Sequence, residues 1–259
     1  MVNRFFDQQN YGGSLEYYIF ELANYSFLVL LLSIFYKLRF INTNSLIVWS
    51  GIFFLPLFLN YFLFSPLLFP DQFQYAAELM SLKNDGISKW NIAAENSRFT
   101  IVENLLSIPT NPITFAVSLL GLAPIPNYMT VTSLAFANKF FLFFSFLALK
   151  NFFKNENILL LFFLIPSFLL YSSVSLRETL VILFGIFFLL NILRDNYLIS
   201  FALILPLLII KIQLFAFFAV YFIGRLIFRA HKNFYALIIY ASFILIAAFI
   251  FEEIILQIV

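Results

Sequence analysis

Four short stretches put charge where this chain otherwise places none. In "SVSLRE", Arg177 and Glu178 stand side by side between the runs "ILLLFFLIPSFLLYSS" and "TLVILFGIFFLLNIL". In "FPDQFQY", Asp71 follows a proline, and Tyr75 comes one helical turn later. Lys139 lies inside "SLAFANKFFLFFSFLALK", and Lys211 interrupts "ILPLLIIKIQLFAFF". A carboxylate at the mouth of a helix can take a proton from a hydroxyl. A guanidinium in a partly dry place grips a phosphate with a planar pair of donors. An arginine in the first turn of a helix is opposed by the helix dipole, so an anion is expected beside it.

Plainer roles stay open for each. Ser175 with Glu178 three residues on reads as a capping box, as does Asp71 with Gln74. Lys211 can snorkel to an interface, and Lys139 can reach one if its helix shifts. Asn60 and Asn191 are expected to bond to neighbouring helices. The chain has no cysteine and one histidine, His231, so thiolate and histidine-rich metal sites are excluded. A net charge of +2 gives no footprint for nucleic acid.

The elements that must position these residues follow from composition. Hydrophobic residues make up 63% of the chain and charged ones 11%. Mean hydropathy is +0.97. Soluble domains carry roughly 25% charged residues, and a bilayer crossing needs about 20 apolar residues. The expectation is an all-α, polytopic transmembrane bundle of about eight helices in one membrane domain, residues 1–259. The apolar segments are 17–36, 45–69, 127–149, 158–172, 179–193, 198–210, 212–228 and 234–255. A shorter run between Pro112 and Pro126 reads as interfacial or re-entrant.

Orientation comes from the basic residues of the short loops. "KLRFINTN", "KNFFKNEN", "RDNY" and "RAHKN" fall on one side, which is then the cytoplasmic one. Both termini and the long polar loop 70–112 come out extracytoplasmic, as does the turn around Ser173. Within that loop "DQFQYAAELMSL" and "FTIVENLLSI" read as short amphipathic helices lying on the membrane surface.

"PDQFQY", the long external loop and "PSFLLYSSVSLRE" together resemble bacterial membrane glycosyltransferases of the C-type fold and the related exopolysaccharide polymerases. The resemblance covers roughly residues 45–215. It implies a seven-helix module over 45–259, with residues 1–44 as an extra N-terminal helix. It implies hexosyl transfer from a polyprenyl-phosphate-linked sugar donor to a glycan or lipid-linked acceptor, at the outer face of the bacterial cytoplasmic (inner) membrane. Asp71 would be the catalytic carboxylate, as base or as ligand to a divalent metal; no other cofactor is implied. Arg177 and Lys211 would hold the donor phosphate, with Glu178, Tyr75 and Lys139 as further substrate-binding candidates. Lys211 stands where many of these polymerases carry a histidine. The alternatives are a multi-pass transporter or flippase, for which pseudo-symmetric halves are expected and no repeat is found, and a non-catalytic membrane assembly protein.

The orientation is open to a direct check. A cysteine placed at Asn84 should react with a membrane-impermeant thiol reagent added from outside, and one at Asn155 should not. Labelling of the Asn155→Cys protein alone would reverse the assignment.

Overall fold

The computed structural model describes residues 15–63, 71–85, 112–128, 130–150, 152–153 and 155–230. Among them every regular element is helical. The helices are α1 (Leu15–Lys37), α2 (Thr43–Phe58), α3 (Asp71–Asp85), α4 (Pro112–Leu120) and α5 (Ser133–Lys150). They continue with α6 (Glu156–Phe163), α7 (Pro166–Ser172), α8 (Glu178–Leu193), α9 (Tyr197–Ile210) and α10 (Ile212–Ala230). A π-helical segment, Leu59–Leu63, extends α2.

The all-helical expectation holds for the described residues. Among the described residues two helices are long and apolar enough to cross a membrane, Tyr18–Lys37 within α1 and Ser133–Lys150, which is α5. The apolar parts of α2, α8, α9 and α10 are shorter. The run 158–172 is not one helix. Leu164 closes α6, and Pro166 opens α7 at the position where a missing N–H costs nothing. The stretch "DQFQYAAELMSL" is helical, as part of α3. "FTIVENLLSI" and the segment 234–255 lie outside the described residues.

The chain divides into two compact units, residues 1–180 and 181–259. In the first, Trp49 is fully buried and meets Phe143, Phe146 and Phe163 at ring-centroid distances of 5.3, 5.4 and 5.5 Å. Aromatic pairs at such tilted and edge-on angles add attraction beyond the area they bury. The rings come from α2, α5 and α6, so one cluster ties three helices.

The end of the unit near residues 38–45 is closed by polar contacts. Asn42 caps α2 by accepting from the Ser45 N–H at 2.7 Å. Lys150 pairs with Glu156 at 2.8 Å and also donates to the Phe40 carbonyl. Glu156 further accepts from the Asn42 N–H and the Ser45 hydroxyl. Burial alone would raise the Glu156 carboxyl, but these donors and the Lys150 charge outweigh it and hold it below its ordinary range.

At the other end of α1, Glu21 and Asn24 are both fully buried. Thr132 donates to Glu21. Asn24 donates to the Asn127 carbonyl at 2.7 Å and accepts from the Asn127 N–H at 2.9 Å. These bonds hold α1 against the segment that leads into α5.

In the second unit, Phe188, Ile192 and Ile204 form a core that Phe218 and Phe222 cover. Gly185 makes this packing possible, since a Cβ there would stand 2.9 Å from the Phe218 ring. Asn191 donates to Phe187 O of its own helix at 2.8 Å, so its amide serves α8 and not the neighbouring helix expected.

Two helix ends use a left-handed residue other than glycine, Arg39 and Asp195, both at φ 61°. After each, the next N–H reaches back five residues, Phe40 to Phe35 O and Asn196 to Asn191 O, both at 2.9 Å. That is the bond pattern of a Schellman end, where glycine fits without strain. Arg39→Gly should therefore gain about 0.5–1 kcal/mol, the left-handed penalty less the glycine entropy. The gain should be read as a higher thermal midpoint in detergent. A lower midpoint would show that the Arg39 side chain holds the loop.

Candidate functional site

Between α7 and α8 the chain leaves the helix for residues 173–177. Ser172, Ser173, Val174 and Ser175 are almost wholly buried there. Non-helical backbone in such a place needs a partner for every N–H and C=O, and side chains from three helices supply them. Asn60 donates to Ser173 O at 3.0 Å. Asn138 donates to Val174 O at 2.9 Å and to Leu176 O at 3.0 Å. Gln72 accepts from the Ser175 N–H at 3.0 Å. Lys139, fully buried, donates to Ser172 Oγ at 2.6 Å and to Leu169 O at 3.3 Å.

Local structure explains how each side chain arrives. Pro56 lies inside α2, and the helix widens into the π segment three residues later. Asn60 stands in that segment, bonded back to Pro56 O at 2.8 Å and forward to the turn. Such π segments recur at functional sites because they re-aim side chains. On α3 the buried positions Gln72, Tyr75, Ala76 and Leu79 follow the spacing i, i+3, i+4, i+7. A polar residue thus occupies the first place of an apolar stripe and is carried onto the turn. Thr114 fastens α3 to α4 by donating to Glu78 at 2.7 Å.

The expected capping box at Ser175 does not form. The helix starts at Glu178, Ser175 Oγ has no hydrogen-bond partner, and the Ser175 N–H is taken by Gln72. Nor do Arg177 and Glu178 satisfy one another. Arg177 Nε and Glu178 Oε2 are both buried without a hydrogen-bond partner. Among the described residues no carboxylate pairs with Arg177.

Asp71 is exposed on the first turn of α3, and Tyr75 is buried one turn later. The charges of Arg177, Glu178 and Asp71 all act on the Tyr75 phenol. Burial pushes that phenol up to about 12; Arg177 draws it down, while Glu178 and Asp71 raise it further. Tyr75 is therefore a neutral hydroxyl donor over any physiological pH. Four of the residues singled out by sequence are thus gathered where the start of α3 meets the start of α8.

Lys139 lies on the other side of the same turn with its ammonium on α7. Lys211 belongs to the second unit. It forms the one-residue break between α9 and α10, its N–H on Leu207 O at 2.8 Å and its carbonyl accepting from Leu214 and Phe215.

Five side-chain atoms around the turn are buried without a partner: Gln72 Nε2, Asn138 Oδ1, Ser175 Oγ, Arg177 Nε and Glu178 Oε2. Each would cost about 1–3 kcal/mol if nothing ever met it. Such a concentration of unpartnered polar atoms calls for a physical account. Gln72, Asn138 and Ser175 are the residues that sequence reasoning passed over or read as caps. Their signal was present in the unpaired amide of an apolar stretch and in the polar head of the α3 stripe. Among the described residues no three histidines, aspartates or glutamates stand together as metal ligands.

No family model, curated protein or solved structure matches the chain.

The turn's dependence on amides can be measured. Asn138→Ala leaves two buried carbonyls without a donor and should cost about 2–6 kcal/mol, at about 1–3 for each. Asn60→Ala frees only Ser173 O of the turn and should cost about half as much. Equal and small losses in denaturant unfolding would mean that the turn carbonyls find other partners.

Proposed function

We propose that the protein is a multi-pass glycosyltransferase of the bacterial cytoplasmic membrane. Its donor is a sugar on polyprenyl phosphate, and its site opens on the outer face. The observation that carries this reading is the unpaired Arg177, held where two helices begin and beside Asp71, Tyr75 and Glu178. Free N–H groups at helix starts and a guanidinium both favour a phosphate. A carboxylate within the same group supplies a base for an acceptor hydroxyl. The apolar side chains that α1 leaves exposed, among them Ile19, Leu22 and Leu30, suit a hydrocarbon surround.

In this reaction Asp71 takes the proton from the acceptor hydroxyl. The acceptor oxygen bonds to the anomeric carbon as that carbon's bond to the phosphate oxygen breaks. The electron pair leaves on the lipid phosphate, where Arg177 meets the growing charge. Tyr75 stays protonated and donates to a phosphate oxygen. Asp71 takes the role of base because it is exposed on the first turn of α3, whereas Glu178, the other carboxylate of the group, is half-buried. All of these roles fall to residues of the first unit.

Asp71→Asn keeps the size and a side-chain oxygen but removes the basic carboxylate. It should abolish sugar transfer from polyprenyl-phosphate hexoses in reconstituted vesicles and leave binding of farnesyl phosphate unchanged. Arg177→Lys keeps the charge but loses the planar fork, and should weaken farnesyl phosphate binding about tenfold or more, equivalent to about 1.4 kcal/mol. Full transfer by the Asp71→Asn protein, or equal phosphate affinity in the Arg177→Lys protein, would overturn the reading.

A further inference from the structure

The two helices long enough to cross a membrane end side by side. Tyr18–Lys37 closes α1, and Ser133–Lys150 closes α5. Near their starts, Glu21 and Asn24 of α1 bond to Thr132 and Asn127, which lead into α5. Past their ends, the Lys150 ammonium donates to the Phe40 carbonyl at 2.5 Å. The helices therefore run in the same direction and bring both C-terminal ends to one face of the first unit.

The loop at that face is firmly built. The N–H groups of Leu38, Arg39 and Phe40 donate to Ile34 O, Tyr36 O and Phe35 O, each at 2.9 Å. The Asn42 N–H donates to Glu156 at 3.3 Å. Its side chains nevertheless lie outside the protein. Tyr36, Lys37, Leu38, Arg39 and Phe40 are all exposed, Leu38 by 61% and Phe40 by 56%. Lys150 is taken by Glu156. Among the described residues no carboxylate pairs with Lys37 or Arg39.

Cations and apolar side chains thus alternate along one ordered turn. Water suits the cations and leaves Leu38 and Phe40 uncovered. Hydrocarbon suits the apolar groups and penalises the cations. A phospholipid headgroup layer takes both, because it is anionic at the phosphates and apolar at the acyl boundary. The helix dipole accounts for Lys37 in the last turn of α1. Arg39 lies past that end, in a left-handed conformation that glycine adopts without strain.

We infer that residues 36–40 form a binding surface for anionic phospholipid headgroups. Lys37 and Arg39 meet the phosphates, and Leu38 and Phe40 enter the acyl boundary. The inference rests on the proposed function only for its membrane setting. The helix α2 runs from this loop to the π segment, whose Asn60 meets the charged turn. The lipid surface and the candidate site therefore stand at opposite ends of α2.

The test uses the full chain in nanodiscs, with bimane on Asn44→Cys. That position is exposed beside the surface, and the chain has no native cysteine. Phosphatidylglycerol and phosphatidylcholine with the same brominated chains serve as quenchers, and the readout is the ratio of their binding constants. The wild type should prefer phosphatidylglycerol. Lys37→Gln and Arg39→Gly should each lower the ratio about fivefold, the effect of one cation near a charged surface. Glycine suits the backbone at residue 39, so that variant removes the side chain without endangering the fold. Arg39→Lys should keep the preference. With the label moved to Asn84→Cys, neither charge-removing variant should change the ratio.

Equal quenching by the two lipids, an unchanged preference in both charge-removing variants, or the same losses read from Asn84→Cys would overturn the inference and leave the proposed function standing. Protection of the label by an oligoglutamate peptide, with no lipid preference, also overturns it and gives the surface to an acidic protein. Absence of quenching by either lipid at both positions overturns it together with the membrane setting of the proposed function.

Discussion

A buried turn of non-helical backbone has to be paid for by side chains. Residues 173–177 sit in that position, and three amides, drawn from the π segment, α3 and α5, meet three of their carbonyls and one N–H. Much else in the first unit follows from it. Pro166 breaks the apolar run so that a short helix can deliver the turn. The π segment exists where Asn60 has to face both its own helix and Ser173. The helix α3 begins with a polar residue on its apolar stripe because that residue is needed at Ser175.

Side-chain amides meet three carbonyls and one N–H of the turn, while several of its own side-chain atoms have no partner. Amides bind it so fully that Ser175, which by spacing should cap α8, caps nothing. Arg177 and Glu178, adjacent and of opposite sign, leave an Nε and an Oε2 without partners. A stability-driven design would neutralise them, since breaking or leaving open a buried charge costs far more than a surface one.

The sequence carried the helical class, the charged turn and the helix after Pro70, because apolar runs and isolated charges are strong signals in a chain of this composition. On a resemblance of short motifs it offered Asp71 together with Arg177, Lys211, Glu178, Tyr75 and Lys139, of which Lys211 falls in the second unit and Lys139 is bonded to the end of α7. It did not carry Gln72, because two competing patterns coincide there. Asp71 and Gln74 imitate a cap, and attention to the cap hides the stripe that runs through Gln72, Tyr75, Ala76 and Leu79. Ser175 was misread for the same reason: "SLRE" has the spacing of a capping box, and only the claim of Gln72 on the Ser175 N–H prevents one. Glu21 gave no signal, because its partners Thr132 and Asn24's partner Asn127 are more than 100 residues away. Long-range polar pairing is invisible to periodicity.

The two cations at the turn show how position decides function. Lys139 reaches the end of α7, where carbonyls without helical partners welcome a positive charge. Its ammonium is engaged by Leu169 O and Ser172 Oγ, and the four-carbon stem is buried along the way. Arg177 stands at the start of α8, where the N–H groups are already positive and a cation gains nothing from the helix. For folding alone, Arg177 would be better replaced by an acid or a neutral cap before α8. Lys139 is accounted for by the structure around it, and Arg177 is not. Of the two, Arg177 is the one whose Nε the described residues leave without a partner, next to a carboxylate that does not neutralise it.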